Sequence, residues 1–236
     1  MQRTEHIDSY AAFFKFDRLE KPVRVHLKNV YSCLAIAMLS AAVGGYVHLF
    51  TRMFEGGILS CLASIGLLVL LALTPNTREN QVKRMGMLTG FAFFTGISLG
   101  PLMDMVIEID ASIIPSAFLG TTVIFVCFSL SALLSDQRQW LYLGGILFSG
   151  LSALFMLSLF NLFLGSRLIY EINLYLGLLI MCGFVLYDTQ LIVEKRRNGD
   201  DDFIWHCIDL FLDFIHIFRK LMIILSNKEE KKNKRN

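Results

Sequence analysis

The chain has 236 residues, of which 55% are hydrophobic and only 18% charged, with a net charge of +2. A soluble core cannot hide so much apolar surface, so lipid must serve as the second solvent. No glycine-rich phosphate loop and no basic-aromatic nucleic-acid pattern occurs, which removes nucleic acid as a partner class.

Residues 1–28 are mixed and charged, lack the apolar core of a cleaved signal peptide, and read as a cytosolic N-terminal segment. Apolar runs follow at about 29–50, 56–74, 85–107, 114–134, 140–163 and 169–193, with a seventh at about 203–226. Turn chemistry separates them: Thr74-Pro75-Asn76, Ile114-Pro115-Ser116, Ser135-Asp136-Gln137 and Asn198-Gly199-Asp200. These short breaks predict that consecutive helices are antiparallel neighbours. The organisation expected is a transmembrane helical bundle over 29–226 and a basic tail over 227–236.

Within the runs, Gly100-Pro101 predicts a kink in the third segment. Asp104 and Glu108 follow at helical spacing, either at an acidic mouth or in the wet headgroup zone. Ala41, Ala42, Gly44, Gly45, Gly86, Gly90, Gly96, Gly100, Gly144 and Gly145 are small residues that allow helices to approach closely in lipid. Cys33, Cys61, Cys127, Cys182 and Cys207 all lie in apolar stretches and read as small buried hydrophobes rather than a disulfide framework or a metal site.

Lysine and arginine placement sets the orientation. Arg3, Lys15, Arg18, Lys21, Arg24 and Lys28 precede the first run; Arg78, Lys83 and Arg84 follow the second; Arg138 follows the fourth; Lys195, Arg196 and Arg197 follow the sixth. The intervening loops carry only Arg52 and Arg167, which puts the N-terminus in the cytosol and six spans before residue 195. Lys228, Lys231, Lys232, Lys234 and Arg235 then follow the seventh run. The charge rule favours a re-entrant seventh segment or a cytosolic tail, and a full crossing remains the alternative.

The seventh run carries the chemistry. At 100° per residue, Asp202, His206, Asp209, Asp213, His216 and Lys220 fall within an arc of about 80°, a polar stripe on an otherwise apolar helix. An Asp at the centre of a span costs about 2.5–3.5 kcal/mol, so this helix cannot face lipid all round and is expected at the centre of the bundle. The fold expected is therefore an all-α membrane protein, six spans around a central or re-entrant seventh helix. Asp188, in Leu186-Tyr187-Asp188-Thr189-Gln190, is a further intramembrane acid near the cytosolic end of the sixth run. If the last two segments run antiparallel, the depths of Asp188 and Asp213 match. Two carboxyls meeting in a low dielectric share a proton and form a latch; ionised, they repel or take a cation, and Ca²⁺ prefers carboxylate oxygen. The bland alternative is that each Asp bonds local backbone or a cation such as Lys220. His206 and His216 either tune the pH response or are interfacial residues. No set of three or four ligands for zinc assembles, and no cofactor is implied.

The runs Cys182-Gly-Phe-Val-Leu-Tyr-Asp-Thr-Gln190 and Ile208-Asp-Leu-Phe-Leu-Asp-Phe214 resemble the signature of the Bax inhibitor-1 family; Gly96-Ile-Ser-Leu-Gly-Pro101 and Gly120-Thr-Thr-Val-Ile-Phe125 also resemble family segments. The similarity covers nearly the whole chain and is nearest to the animal endoplasmic-reticulum branch. It implies a seven-helix fold with the last helix wrapped by six others, residence in the endoplasmic reticulum membrane, and a pH-sensitive Ca²⁺ leak. It also implies suppression of apoptosis, damping of the unfolded-protein response, and contact with anti-apoptotic Bcl-family proteins and stress sensors. The paired acids of the family fall at Asp188 and Asp213, with Asp209 a weaker match and Ca²⁺ held only transiently. Bacterial relatives place an Arg in the second helix against the pair; the second run here has no Lys or Arg, and Lys220 is the substitute considered.

Three functions compete. The first is a leak channel gated by the carboxylate pair. The second is a non-conducting membrane protein that binds death regulators and stress sensors, its basic tail held on anionic lipid. The third, an intramembrane aspartyl protease, lacks the Gly-x-Gly-Asp and Pro-Ala-Leu runs, so no enzyme is expected.

Overall fold

The computed structural model describes residues 19–51, 57–135 and 140–234. The basic residues Arg3, Lys15, Arg18, Arg52, Arg138 and Arg235 and the turn at Asp136-Gln137 lie outside them. The described residues are all-helical with no strand: α1 Lys21–Thr51, α2 Ile58–Leu73, α3 Gln81–Ser98, α4 Gly100–Ile109, α5 Ile113–Leu134, α6 Leu143–Leu164, α7 Arg167–Arg197 and α8 Phe203–Asn233. Four of these, α1, α5, α6 and α7, are long and apolar enough to cross a membrane; α3 and α4 make a fifth if taken as one span, bent by 40°. The chain is thus a multi-pass membrane protein.

The bend falls at Leu99-Gly100, with the proline in the first turn of α4, where its missing N–H costs nothing. At 31 residues, α1 begins ahead of the apolar run. The unbroken α8 spans 31 residues, about 46 Å at 1.5 Å per residue. Two turns need glycine for a positive φ: Gly165 caps α6 at φ 60°, and Gly199 turns the chain between α7 and α8 at φ 97°.

Packing divides the helices into two kinds. α8 packs against α1, α3, α4, α5 and α7, and α7 packs against α1, α5, α6 and α8. In contrast, among the described helices α2 touches only α3, and α6 touches only α7. Consecutive helices are therefore not always neighbours: α1 does not contact α2, and α5 does not contact α6. An apolar helix can leave most of its circumference to acyl chains, so α2 and α6 each need only one protein partner.

The tightest approach is between α1 and α3. A Cβ on Gly96 would lie 2.0 Å from the Ala41 carbonyl oxygen, and one on Gly44 would lie 2.1 Å from that of Phe93. These glycines let two backbones touch where lipid supplies no hydrophobic drive. Gly86 and Gly145, expected to act likewise, have open space at their Cβ positions instead. Of the cysteines, Cys33, Cys182 and Cys207 are buried as expected, but Cys61 and Cys127 face outward from α2 and α5.

Candidate functional site

The turn at Asn198-Gly199 makes α7 and α8 antiparallel, and ion pairs tie the helices at both ends: Lys195 to Asp209 at 3.9 Å and Lys231 to Glu171 at 3.4 Å. This arrangement matches the depths of Asp188 on α7 and Asp213 on α8. Their carboxyl groups come within hydrogen-bonding reach of each other, and Asp209, one turn back on α8, is close enough to act electrostatically on both. Asp213 is 6% exposed, and its Oδ2 finds no hydrogen-bond donor. A buried carboxylate oxygen without a donor is costly, and one proton shared across the pair supplies the missing donor. The cation at this cluster is Lys195, which faces Asp209 and acts on Asp188.

Lys220, the cation considered from sequence, does not serve. It lies two turns beyond Asp213, with its ammonium against the bare backbone of Gly177. The stripe on α8 is real as a sequence pattern but is not one site; the neighbouring helices divide it into three. At its start, Asp202 caps α8 by accepting from the Trp205 N–H at 3.0 Å. Asp202 also takes a bidentate pair from Arg84 of α3, at 2.9 and 2.6 Å. In the same first group is His206, fully buried, its Nδ1 2.8 Å from Nε2 of His26 on α1 and its Nε2 3.4 Å from Asp200. The acidic cluster occupies the middle. His216, Arg219 and Lys220 form a third, separate group in a crevice against α6 and α7.

Asp104 also acquires a partner. Its Oδ2 is 2.9 Å from His48 Nε2, yet the side chain remains 56% exposed, which agrees with a place at the wet boundary.

Sequence reading missed Arg84, His26 and Lys195 as site residues. In the sequence Arg84 and Lys195 look like loop charges, and His26 stands among the charged residues ahead of the first run. A buried polar layer was also missed, where Tyr31 of α1 converges with Ser129 of α5 and Thr189 of α7. Gln190 ties helix ends together, accepting from the Trp140 backbone N–H at 2.7 Å and donating to Ser135 Oγ at 2.7 Å. The only available signal was that Thr189 and Gln190 adjoin Asp188.

A family model described as inhibitor of apoptosis-promoting Bax1 matches residues 23–230. Over 229 residues the chain is 56% identical to a protein named probable Bax inhibitor 1 from Paralichthys olivaceus, covering 96% of this chain and 97% of that one. It is 51% identical over 226 residues to Bax inhibitor 1 of Homo sapiens, covering 96% and 95%. To the Arabidopsis thaliana protein of that name it is 42% identical over 225 residues, covering 94% and 90%.

Proposed function

Because the chain belongs to the family of inhibitors of apoptosis-promoting Bax1, we propose that it suppresses cell death from the endoplasmic reticulum membrane, where it passes a pH-sensitive Ca²⁺ leak and dampens the unfolded-protein response. In this reading α8 is the centre of a seven-segment bundle with its N-terminus in the cytosol. Support for the centre comes from the five helices packed around α8. Support for the orientation comes from the basic residues grouped between α2 and α3 and after α7.

The observation that carries the leak is the meeting of Asp188 and Asp213 between helices. With one proton between them, the carboxyls bridge α7 to α8. Without it, two like charges at contact repel, and the cluster becomes a set of oxygen ligands suited to a transient divalent cation. Lys195 faces Asp209 and acts more weakly on Asp188, which leaves Asp213 without a cation of its own at the cluster. Purified protein in Ca²⁺-loaded liposomes, assayed across pH, tests this. Asp213→Asn retains a neutral hydrogen-bonding side chain but removes the shared titration, so the pH dependence of flux should flatten. A flux curve equal to that of the unaltered protein would overturn the gate.

The competing reading is a non-conducting partner of Bcl-family proteins and stress sensors that works through its basic end. Lys231, Lys232 and Lys234 pair with Glu171, Glu229 and Glu230, so much of that charge is internally matched. If deleting 228–236 abolishes protection while flux is unchanged, the interaction reading replaces the channel.

A further inference from the structure

A cavity of about 400 Å³ opens between the end of α6, the start of α7 and the second half of α8. One wall carries His216, Arg219 and Lys220 of α8, with Asn161 and Asn173 opposite; another is apolar, formed by Leu162, Leu174 and Ile223. Among the described residues, no Asp or Glu lines it. Elsewhere, the basic side chains held between helices face carboxylates: Arg84 faces Asp202, Lys195 faces Asp209, and Arg197 faces Glu194. Among the described residues, Arg219 and Lys220 have no such partner. His216 and Arg219 are exposed at the rim of the crevice and Lys220 is half-buried, so an anion can reach all three, and basic residues grouped at a membrane surface attract anionic lipid.

The position identifies which anion. Residues 216–220 lie about 20–26 Å along α8 from Phe203, at 1.5 Å per residue. The cavity takes its α7 residues from the first turns of that helix and its α6 residues from the last turns, beside the Gly165 cap. This is the level of the α6–α7 turn, where one leaflet's phosphates meet its acyl chains. The mouth continues onto Leu162 and Phe163, which are 78% and 91% exposed and suit hydrocarbon. The volume fits a headgroup and its first methylenes, with the tails left in the bilayer. The seat is also shaped: a Cβ on Gly177 would lie 2.5 Å from the Lys220 ammonium, so glycine there sets where the charge rests.

We propose that this crevice binds an anionic glycerophospholipid, its phosphate held by His216, Arg219 and Lys220 and its chains lying along α6 and α8. The proposal is independent of whether the protein conducts Ca²⁺.

The test is native mass spectrometry of the full chain, delipidated in non-ionic detergent. It is titrated with phosphatidylglycerol, with phosphatidylcholine of the same chains, and with soluble glycerol phosphate. Phosphatidylglycerol should bind at least about tenfold more tightly than phosphatidylcholine. Arg219→Gln with Lys220→Gln should remove that preference, a loss of about 25-fold if each charge contributes about fivefold. Gly177→Ala, which displaces the ammonium without removing its charge, should weaken binding several-fold and carries the test if the double variant fails to fold. Lys231→Gln with Lys232→Gln should leave the preference intact. Equal affinity for both lipids, a preference lost only with the tail lysines, or glycerol phosphate binding as tightly as the lipid would each overturn the proposal.

Discussion

α6 and α8 lie on either side of α7 and face opposite environments. α6 carries no charged residue and buries only Gly144, Leu147 and Leu154. α8 carries Asp209, Asp213, His206 and Lys220, and it buries Phe211, Ile217, Met222 and nine further residues. In a soluble protein the apolar helix would be the core and the charged one the surface. Lipid reverses this, because hydrocarbon accepts any apolar side chain but no charge. Polarity therefore marks the interior here, and three changes probe that contrast.

The largest effect is expected where α8 depends on another helix for its charge balance. Arg84 is 2% exposed and holds both oxygens of Asp202, the cap of α8. Arg84→Ala leaves that carboxylate without its cation and should cost about 3–5 kcal/mol, the usual penalty for breaking a buried pair. Arg84→Lys retains the charge but not the fork, and should fall between. Thermal unfolding in detergent micelles reads both; an Arg84→Ala protein as stable as the parent would mean that Asp202 is solvated rather than held.

Next in size is the exchange of environments. Phe155 on α6 is 59% exposed, to hydrocarbon in this arrangement. Phe155→Asp should cost about 2.5–3.5 kcal/mol at mid-span, read as a fall in the inserted fraction of α6 in a translocation assay. On α8, Asp209 and Asp213 lie where other helices surround them, an environment that Phe155 lacks. Full insertion of the Phe155→Asp chain would mean that α6 faces a polar path and not lipid.

The same contrast explains how much of this was legible in the sequence. Helices lie under the apolar runs and the chain breaks at Gly100-Pro101, both legible because hydropathy and proline geometry are local properties, although only four or five of those helices are long and apolar enough to cross a membrane. The meeting of Asp188 and Asp213 was legible for a related reason: a short turn and equal distances from it fix the two depths. Arg84 with Asp202, and His26 with His206, are separated by 118 and 180 positions, and no local rule links them. Lys195 was hidden by its neighbours, since in Lys195-Arg196-Arg197 it looks like one more cytosolic charge. The division of the α8 stripe into three sites came from which helix covers each turn, a tertiary fact that periodicity does not carry. Glycine counting failed at Gly86 and Gly145 for the same reason: a small residue permits close approach but does not require a neighbour.

The smallest effect lies within α6 itself, where two adjacent glycines face different surroundings. A Cβ on Gly144 would lie 2.7 Å from Cε2 of Tyr187 on α7, while one on Gly145 meets nothing within 4 Å. Gly144→Ala must push the tyrosine ring aside or part the helices, and should cost about 1–3 kcal/mol, the usual range for overpacking. Gly145→Ala adds a methyl group to the lipid side and relieves a helix of a glycine, so its effect should stay within about 0.5 kcal/mol or be slightly stabilising. Paired melting curves in the same detergent separate the two. Equal destabilisation by both would show that α6 has a second protein neighbour on its outer face and would move it from the lipid-facing class to the interior one.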